Sequence, residues 1–374
     1  MASTTQRRVA VVGSAQTLLA DERPDLQHVD LITEVVTRAL KGTGIRVEDI
    51  DFVIDSGSDF LDGRSISNCG FLGAMAAHHK EESRVEEDGL WALSYAVNKL
   101  TAGPASIGLV IGYSKPSEGD VDAFWSGMLE PFLQRPVGLT HETAAGLYAQ
   151  SYLATAGLNA DDLDVVSDSA WRKAAANPRV CAPTPSGDDW RSAVASPLRR
   201  SDYARPVDGA VAILLAIEEV AEQTTESPVW VTGVGSAIDQ HFLAGREPDT
   251  LPAAGYALRS ALRMAGLASA ADFDIVEVSA TSTVGELMVL EALDVAEPYK
   301  AIELYRSDDP RINPSGGALP ADVIMATGLA RLHESVLRLA RRGEHHDNTA
   351  RTALVHGTGG FAMQNHCVVT LEVA

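Results

Sequence analysis

The chain has 374 residues, with 51 acidic side chains against 30 Lys and Arg and a formal net charge of −21. An acidic surface of this kind repels phosphate backbones and anionic lipid, which argues against nucleic-acid and membrane-surface roles. No apolar run approaches the roughly 18–20 residues of a membrane span. The three cysteines, Cys69, Cys181 and Cys367, show neither metal spacing nor a paired framework, as expected for a reducing cytoplasm.

Strand-like and helical patterns alternate along the chain, which indicates an α/β architecture. The run "RRVAVVGSA" (7–15) is a first strand, followed by a predicted helix over about 30–43 and a second strand within 49–59. In "RVEEDGLWALSYAVNKL" (84–100), Leu90, Leu93, Val97 and Leu100 recur at helical spacing and form one face of a buried helix. Glu86, Glu87 and Asp88 crowd its first turn, where free N–H groups and the helix dipole favour negative charge. A strand at 106–115 closes this unit. The segment from about 116 to 225 is rich in Trp, Pro and short helical pieces, among them 140–157 and 165–178. Insertions of this kind cap active sites or lengthen interfaces.

The order then recurs. "PVWVTGVGSA" (228–237) matches the opening strand down to its closing Gly-Ser-Ala, and a helix at 251–266 follows. A strand at 272–282, a buried helix over 323–341 and a strand at 352–361 complete the second unit. The chain thus divides into an N-terminal half (1–115), an insertion region with the closing strands of that half (116–225), and a C-terminal half (226–374). Two β-α-β-α-β copies imply pseudo-twofold packing, with the two central helices buried together. Ligands of such sheets bind beyond the carboxyl ends of the strands. The cavity should therefore collect Ser279-Ala280-Thr281, the 322–328 stretch, His356-Gly357-Thr358 and the acid triplet.

These pieces, in this order, resemble the thiolase superfamily in its sterol-carrier-protein-type branch. "AWRKAAANP", "ASPLRRSDYARPVDGAVAILLA", "INPSGGALPADVIMATGLARLHE" and "VHGTGGFAMQNHCVVTLE" carry the resemblance nearly end to end. It implies a thiolase-like fold, a coenzyme A thioester as ligand with no covalently bound cofactor and no metal, and a site at the start of the first central helix. The family places a nucleophilic cysteine there, because the dipole favours thiolate and backbone N–H groups can hold an oxyanion. Here that position falls on Glu86, and the family's two catalytic histidines fall on Ser279 and Asp322. The last catalytic position falls on His356. Ser279, Thr281, Gly316, Gly317, Gly359 and Gly360 are the candidate substrate-binding residues, and His141 in the insertion is either a further one, lining a substrate channel, or part of a loop helix face.

Each candidate has a plainer reading. Glu86 is either a general base or a charge that fills an emptied pocket, and Asp322 is either a base or the N-cap of the 323–341 helix. His356 is either a working imidazole or a shaper of the Gly-rich loop. His366 and Cys367 are expected to pack, and Cys69 lies too early to replace the nucleophile. The tyrosines used by the superfamily's retro-aldolases are missing from both motifs, with Tyr299 and Tyr305 outside them. The resulting expectation is a degenerate thiolase-like subunit of a heteromeric acyl-CoA-processing complex. Its partner would be a second thiolase-like chain, a small zinc-ribbon/OB-fold protein, or both, in a homo- or heterodimer. The alternatives are a CoA-thioester aldol lyase using His356 with Glu86 or Asp322, and a simple acyl-CoA or lipid binder.

Overall fold

The computed structural model describes residues 7–181, 188–346 and 348–373. Its strands are β1 (Val9–Gln16), β2 (Phe52–Ser56), β3 (Glu81–Val85), β4 (Ile107–Ser114), β5 (Ala193–Ala195), β6 (Leu198–Arg199), β7 (Gly209–Ile217), β8 (Val229–Ile238), β9 (Ile275–Glu277), β10 (Thr352–Gly359) and β11 (Asn365–Glu372). Its α-helices are α1 (His28–Leu40), α2 (Gly89–Ala102), α3 (Val121–Gly127), α4 (His141–Ala156), α5 (Asp164–Ala175), α6 (Glu218–Thr224), α7 (Pro252–Ala265), α8 (Thr283–Ala292), α9 (Ile302–Arg306) and α10 (Thr327–Leu339). Nine strands form one sheet in the order β3-β2-β4-β7-β1-β8-β11-β10-β9, and β5 and β6 make a separate hairpin.

The seam between the halves is short: β1 meets β8 antiparallel, with Val9–Val11 opposite 229–231. On either side the pairings correspond. β7 lies antiparallel between β1 and β4, and β2 runs parallel to β4. In the second half β11 lies antiparallel between β8 and β10, and β9 runs parallel to β10. The mixed α/β sheet is that of the expected class, and the repeat extends one strand further than the sequence pattern indicates, to β7 and β11.

Both halves turn one sheet face toward α2 and α10. Leu90, Leu93, Val97 and Leu100 of α2 share a core with Leu329, Leu332, Val336 and Leu339 of α10 and with apolar residues of most of the nine strands. Deep burial extends even to charged residues of α10. Arg331 lies 3.5 Å from Glu277 and donates to the Gly317 carbonyl at 2.9 Å. Burial works against an ionised Glu334, but Arg179, bonding it through Nε (2.7 Å) and Nη2 (2.8 Å), more than offsets this. With the charge of Arg338 added, the Glu334 carboxyl is held far below the usual range.

The second central helix begins at Thr327, not at 323. Residues 324–326 form a turn in which Met325 adopts a left-handed conformation (φ 75°). Asp322 is therefore not the N-cap of α10; that position is Ala326, which has no capping side chain.

Candidate active site

Asp88, immediately before Gly89, takes the N-cap position that its residue type favours. Its Oδ1 accepts from Leu90 N at 3.0 Å. Its Oδ2 accepts from Gly328 N at 2.8 Å, across the interface in the first turn of α10. One buried carboxylate therefore caps both central helices. Gly89 N and Ser56 Oγ both donate to the Met325 carbonyl at 2.8 Å, which ties the turn before α10 to the same point. Glycine is required around this carboxylate: a Cβ at Gly328 or Gly357 would lie 2.2 or 2.6 Å from Asp88 Oδ1.

Glu87 points beside it, bonded by the Asn365 side-chain amide and packed against Gly359. Burial raises Glu87 to about 7, opposed by the Asn365 bond and assisted by the charge of Asp88. Asp88 is raised to about 6 by burial, against the pull of the backbone donors of Gly328 and Leu90. From the second half, Asp322 bonds the Thr327 hydroxyl at 2.5 Å. Burial lifts it to about 6, with the Thr327 bond lowering it and the Asp88 charge raising it. Three carboxyl groups with raised proton affinity thus border one cavity.

The cavity holds about 60 Å³ of water-accessible space. Its polar wall is the acid triplet with Ser279, Thr281, Thr358, Gly359 and Gly360, and its apolar wall includes Phe124, Trp125, Met128, Ile324 and Met325. Ser279 Oγ is buried here and has no partner among the described residues.

Of the residues singled out in the sequence, Glu86, Asp322, Ser279, Thr281, Gly359 and Gly360 all border this cavity. Glu86 differs from its two neighbours in that its side chain is 53% exposed, pairs with Arg84 Nε at 3.5 Å, and accepts from Asp59 N at 3.1 Å. Because β10 alternates its faces, Gly357 turns toward Asp88 and His356 turns away. The His356 ring is fully buried, with Nε2 at 2.9 Å from His366 Nδ1. Burial and the neighbouring His366 hold it well below the usual imidazole range. His356 is therefore not in the cavity wall, which corrects its placement as the working imidazole. Gly316 and Gly317 make a left-handed turn (φ 107° and 73°) behind the cavity, and only the following Ala318 reaches it. His141 opens α4 at the rim of a neighbouring pocket, where burial pulls its imidazole down to about 4.

No cysteine borders the cavity among the described residues. Cys69 and Cys181 are exposed, and Cys367 is buried with its thiol pushed well up by burial and then by the charges of Asp88 and Glu87. Tyr305 is buried against Glu286, away from the site. No group of three or more metal-ligating side chains occurs among the described residues, and none of their helices is long and apolar enough to cross a membrane. Sequence reasoning singled out Glu86 from the triplet, although Glu87 and Asp88 are the enclosed acids. The residue directly before Gly89 was the available signal for Asp88; nothing local marks Glu87.

Comparison with known proteins agrees with this fold. Residues 235–372 match the family described as thiolase C-terminal domain-like. An acetyl-CoA acetyltransferase of Methanothermobacter thermautotrophicus is 27% identical over 95% of this chain and 98% of its own length. The structure of an Ltp2-ChsH2(DUF35) aldolase superposes with a TM-score of 0.82 at 18% identity, covering 98% of this chain and 97% of that one. A monomeric SCP2-thiolase-like protein type 1 from Mycobacterium smegmatis gives 0.73 at 18% identity, covering 97% of this chain and 77% of the other. Human mitochondrial 3-ketoacyl-CoA thiolase gives 0.72 at 16% identity, with 98% of each chain covered. The chain has a thiolase-like fold, and its residues 235–372 match the family described as thiolase C-terminal domain-like.

Proposed function

We propose that the chain is a cytoplasmic subunit of an acyl-CoA-processing complex that has no condensing cysteine and uses carboxylates to make or break a C–C bond β to a CoA thioester. The observation that carries this reading is the meeting of Glu87 and Asp322, from opposite halves, at one enclosed cavity without a thiol. A carboxyl at about 7 is half protonated at neutral pH, and one at about 6 is mostly ionised. Together they supply an acid and a base at the same pH.

In the cleavage direction, Asp322 takes the proton from the β-hydroxyl of a 3-hydroxyacyl thioester. The Cα–Cβ bond breaks, the hydroxyl carbon leaves as a carbonyl compound, and the electron pair passes to the thioester as an enolate. Ser279 Oγ is available to donate to the enolate oxygen. Glu87 protonates Cα, and exchange with solvent returns the proton from Asp322 to Glu87. No acyl-enzyme is formed, so the lost cysteine is not missed.

The aldolase resemblance of a structure named for two components, one of them DUF35, supports work in a complex. The partner is a second thiolase-like chain or a small zinc-ribbon/OB-fold protein. The test is to isolate the chain with whatever co-purifies and assay cleavage of a series of 3-hydroxyacyl-CoA esters. Glu87→Gln and Asp322→Asn should each lower kcat by about 10²–10⁴-fold. Activity within a few-fold of wild type in both would return the chain to a purely cavity-shaping or ligand-binding role.

A further inference from the structure

Two cavities meet at one indole. Trp125 borders the inner cavity together with Glu87 and Asp322, and it also borders an outer pocket of about 270 Å³ with His141, Glu142 and Tyr203. Asp322 borders both as well, so the two spaces adjoin beside the Trp125 ring. The indole is held from two sides. Phe124 meets it edge-on at 4.9 Å, and the His141 ring stacks on it at 4.3 Å with 16° between planes. Both supports are themselves anchored. Asp120 caps α3 by accepting from Ala123 N at 2.9 Å, and Thr140 caps α4 by accepting from Thr143 N at 3.2 Å. His141 Nδ1 is enclosed and has no partner among the described residues.

The inner cavity has room for only a few water molecules, and hence for an acyl group of about two to four carbons. A longer chain would need the space that the indole fills. We propose that Trp125, held in place by His141, is a partition that restricts the ligand to short-chain acyl thioesters, with the acyl end inside and the polar arm in the outer pocket. This rests on the CoA-thioester reading above. Trp125 acts here as a specificity-determining residue, and His141 as a positioning residue.

The test is calorimetric titration of the full chain with acetyl-CoA and octanoyl-CoA, which reads binding without requiring turnover. Wild type should bind acetyl-CoA at least about 10-fold more tightly than octanoyl-CoA. Trp125→Ala should raise the ratio of octanoyl-CoA to acetyl-CoA affinity at least about 10-fold. Trp125→Phe should give an intermediate gain, which keeps the test open should the alanine variant not fold. His141→Ala should shift preference in the same direction by less. Equal changes for both esters, or tight octanoyl-CoA binding to wild type, would overturn the partition. Failure of wild type to bind either ester would instead overturn the thioester reading beneath it.

Discussion

Helix α2 brings its own cap, whereas α10 borrows one from the opposite half. Asp88 precedes Gly89 in the chain and accepts from Leu90 N, but its second oxygen serves Gly328 N in α10, whose own cap position is Ala326. The difference shows how a helix start that ordinarily favours an anionic nucleophile can be given to a structural carboxylate. It also releases Asp322 from capping, leaving its carboxyl bonded to the Thr327 hydroxyl at the cavity edge. In the proposed mechanism the first half contributes rigidity and one acid, and the second half contributes the base.

The comparison can be broken most severely at Asp88 and at Asp322, with opposite signatures. Asp322→Asn should cost about 10²–10⁴-fold in turnover without destabilising the fold, because no helix depends on it for a cap. Asp88→Ala should instead destabilise the fold by about 3–5 kcal/mol in urea unfolding. It removes two caps and leaves two buried N–H groups without a partner. A stability loss at Asp322 equal to that at Asp88 would show that the division of labour is wrong.

A smaller effect sharpens the electrostatics. The proton affinity of Glu87 is raised from 4.5 to about 7 in the folded chain, so between those values the folded state binds more protons than the unfolded one. Stability should therefore fall as pH rises through that window and remain lower above it. Glu87→Gln should remove this fall, raising stability at pH 8 on the order of 2 kcal/mol while changing little at pH 4.5. Melting curves at the two pH values check it; a variant destabilised equally at both would contradict the assignment. The smallest effect belongs to the exposed member of the triplet. Glu86→Gln should change unfolding free energy by less than about 1 kcal/mol and turnover by no more than a few-fold.

Much of the fold was legible because its signals are local. The apolar spacing in α2 and the paired Gly-Ser-Ala strand ends mark the repeat, and Gly89 marks the helix start. The site was legible as a place more than as a set of roles. Which of three adjacent acids is buried depends on Gly359, Asn365 and Gly328, all more than 200 residues away. His356 was misplaced because one residue of strand phase decides whether a side chain meets Asp88 or the opposite core. Asp322 looked like a cap because the turn through Met325, with its left-handed backbone, carries no local mark. The pairing of Trp125 with His141 joins two pieces of the insertion that no periodicity connects.

The central claim, that paired carboxylates move protons next to a thioester carbonyl without a thiolate, has a direct test that does not require the natural substrate. In D₂O, an acid–base cavity of this kind should exchange the α-protons of acetyl-CoA, and mass spectrometry can follow the deuterium. The account predicts exchange well above the buffer rate, retained after alkylation of the exposed Cys69 and Cys181. It predicts a loss of about 10²-fold or more in Glu87→Gln, the group that delivers and removes the Cα proton. Exchange no faster than buffer, or exchange abolished by alkylation and untouched by Glu87→Gln, would contradict it.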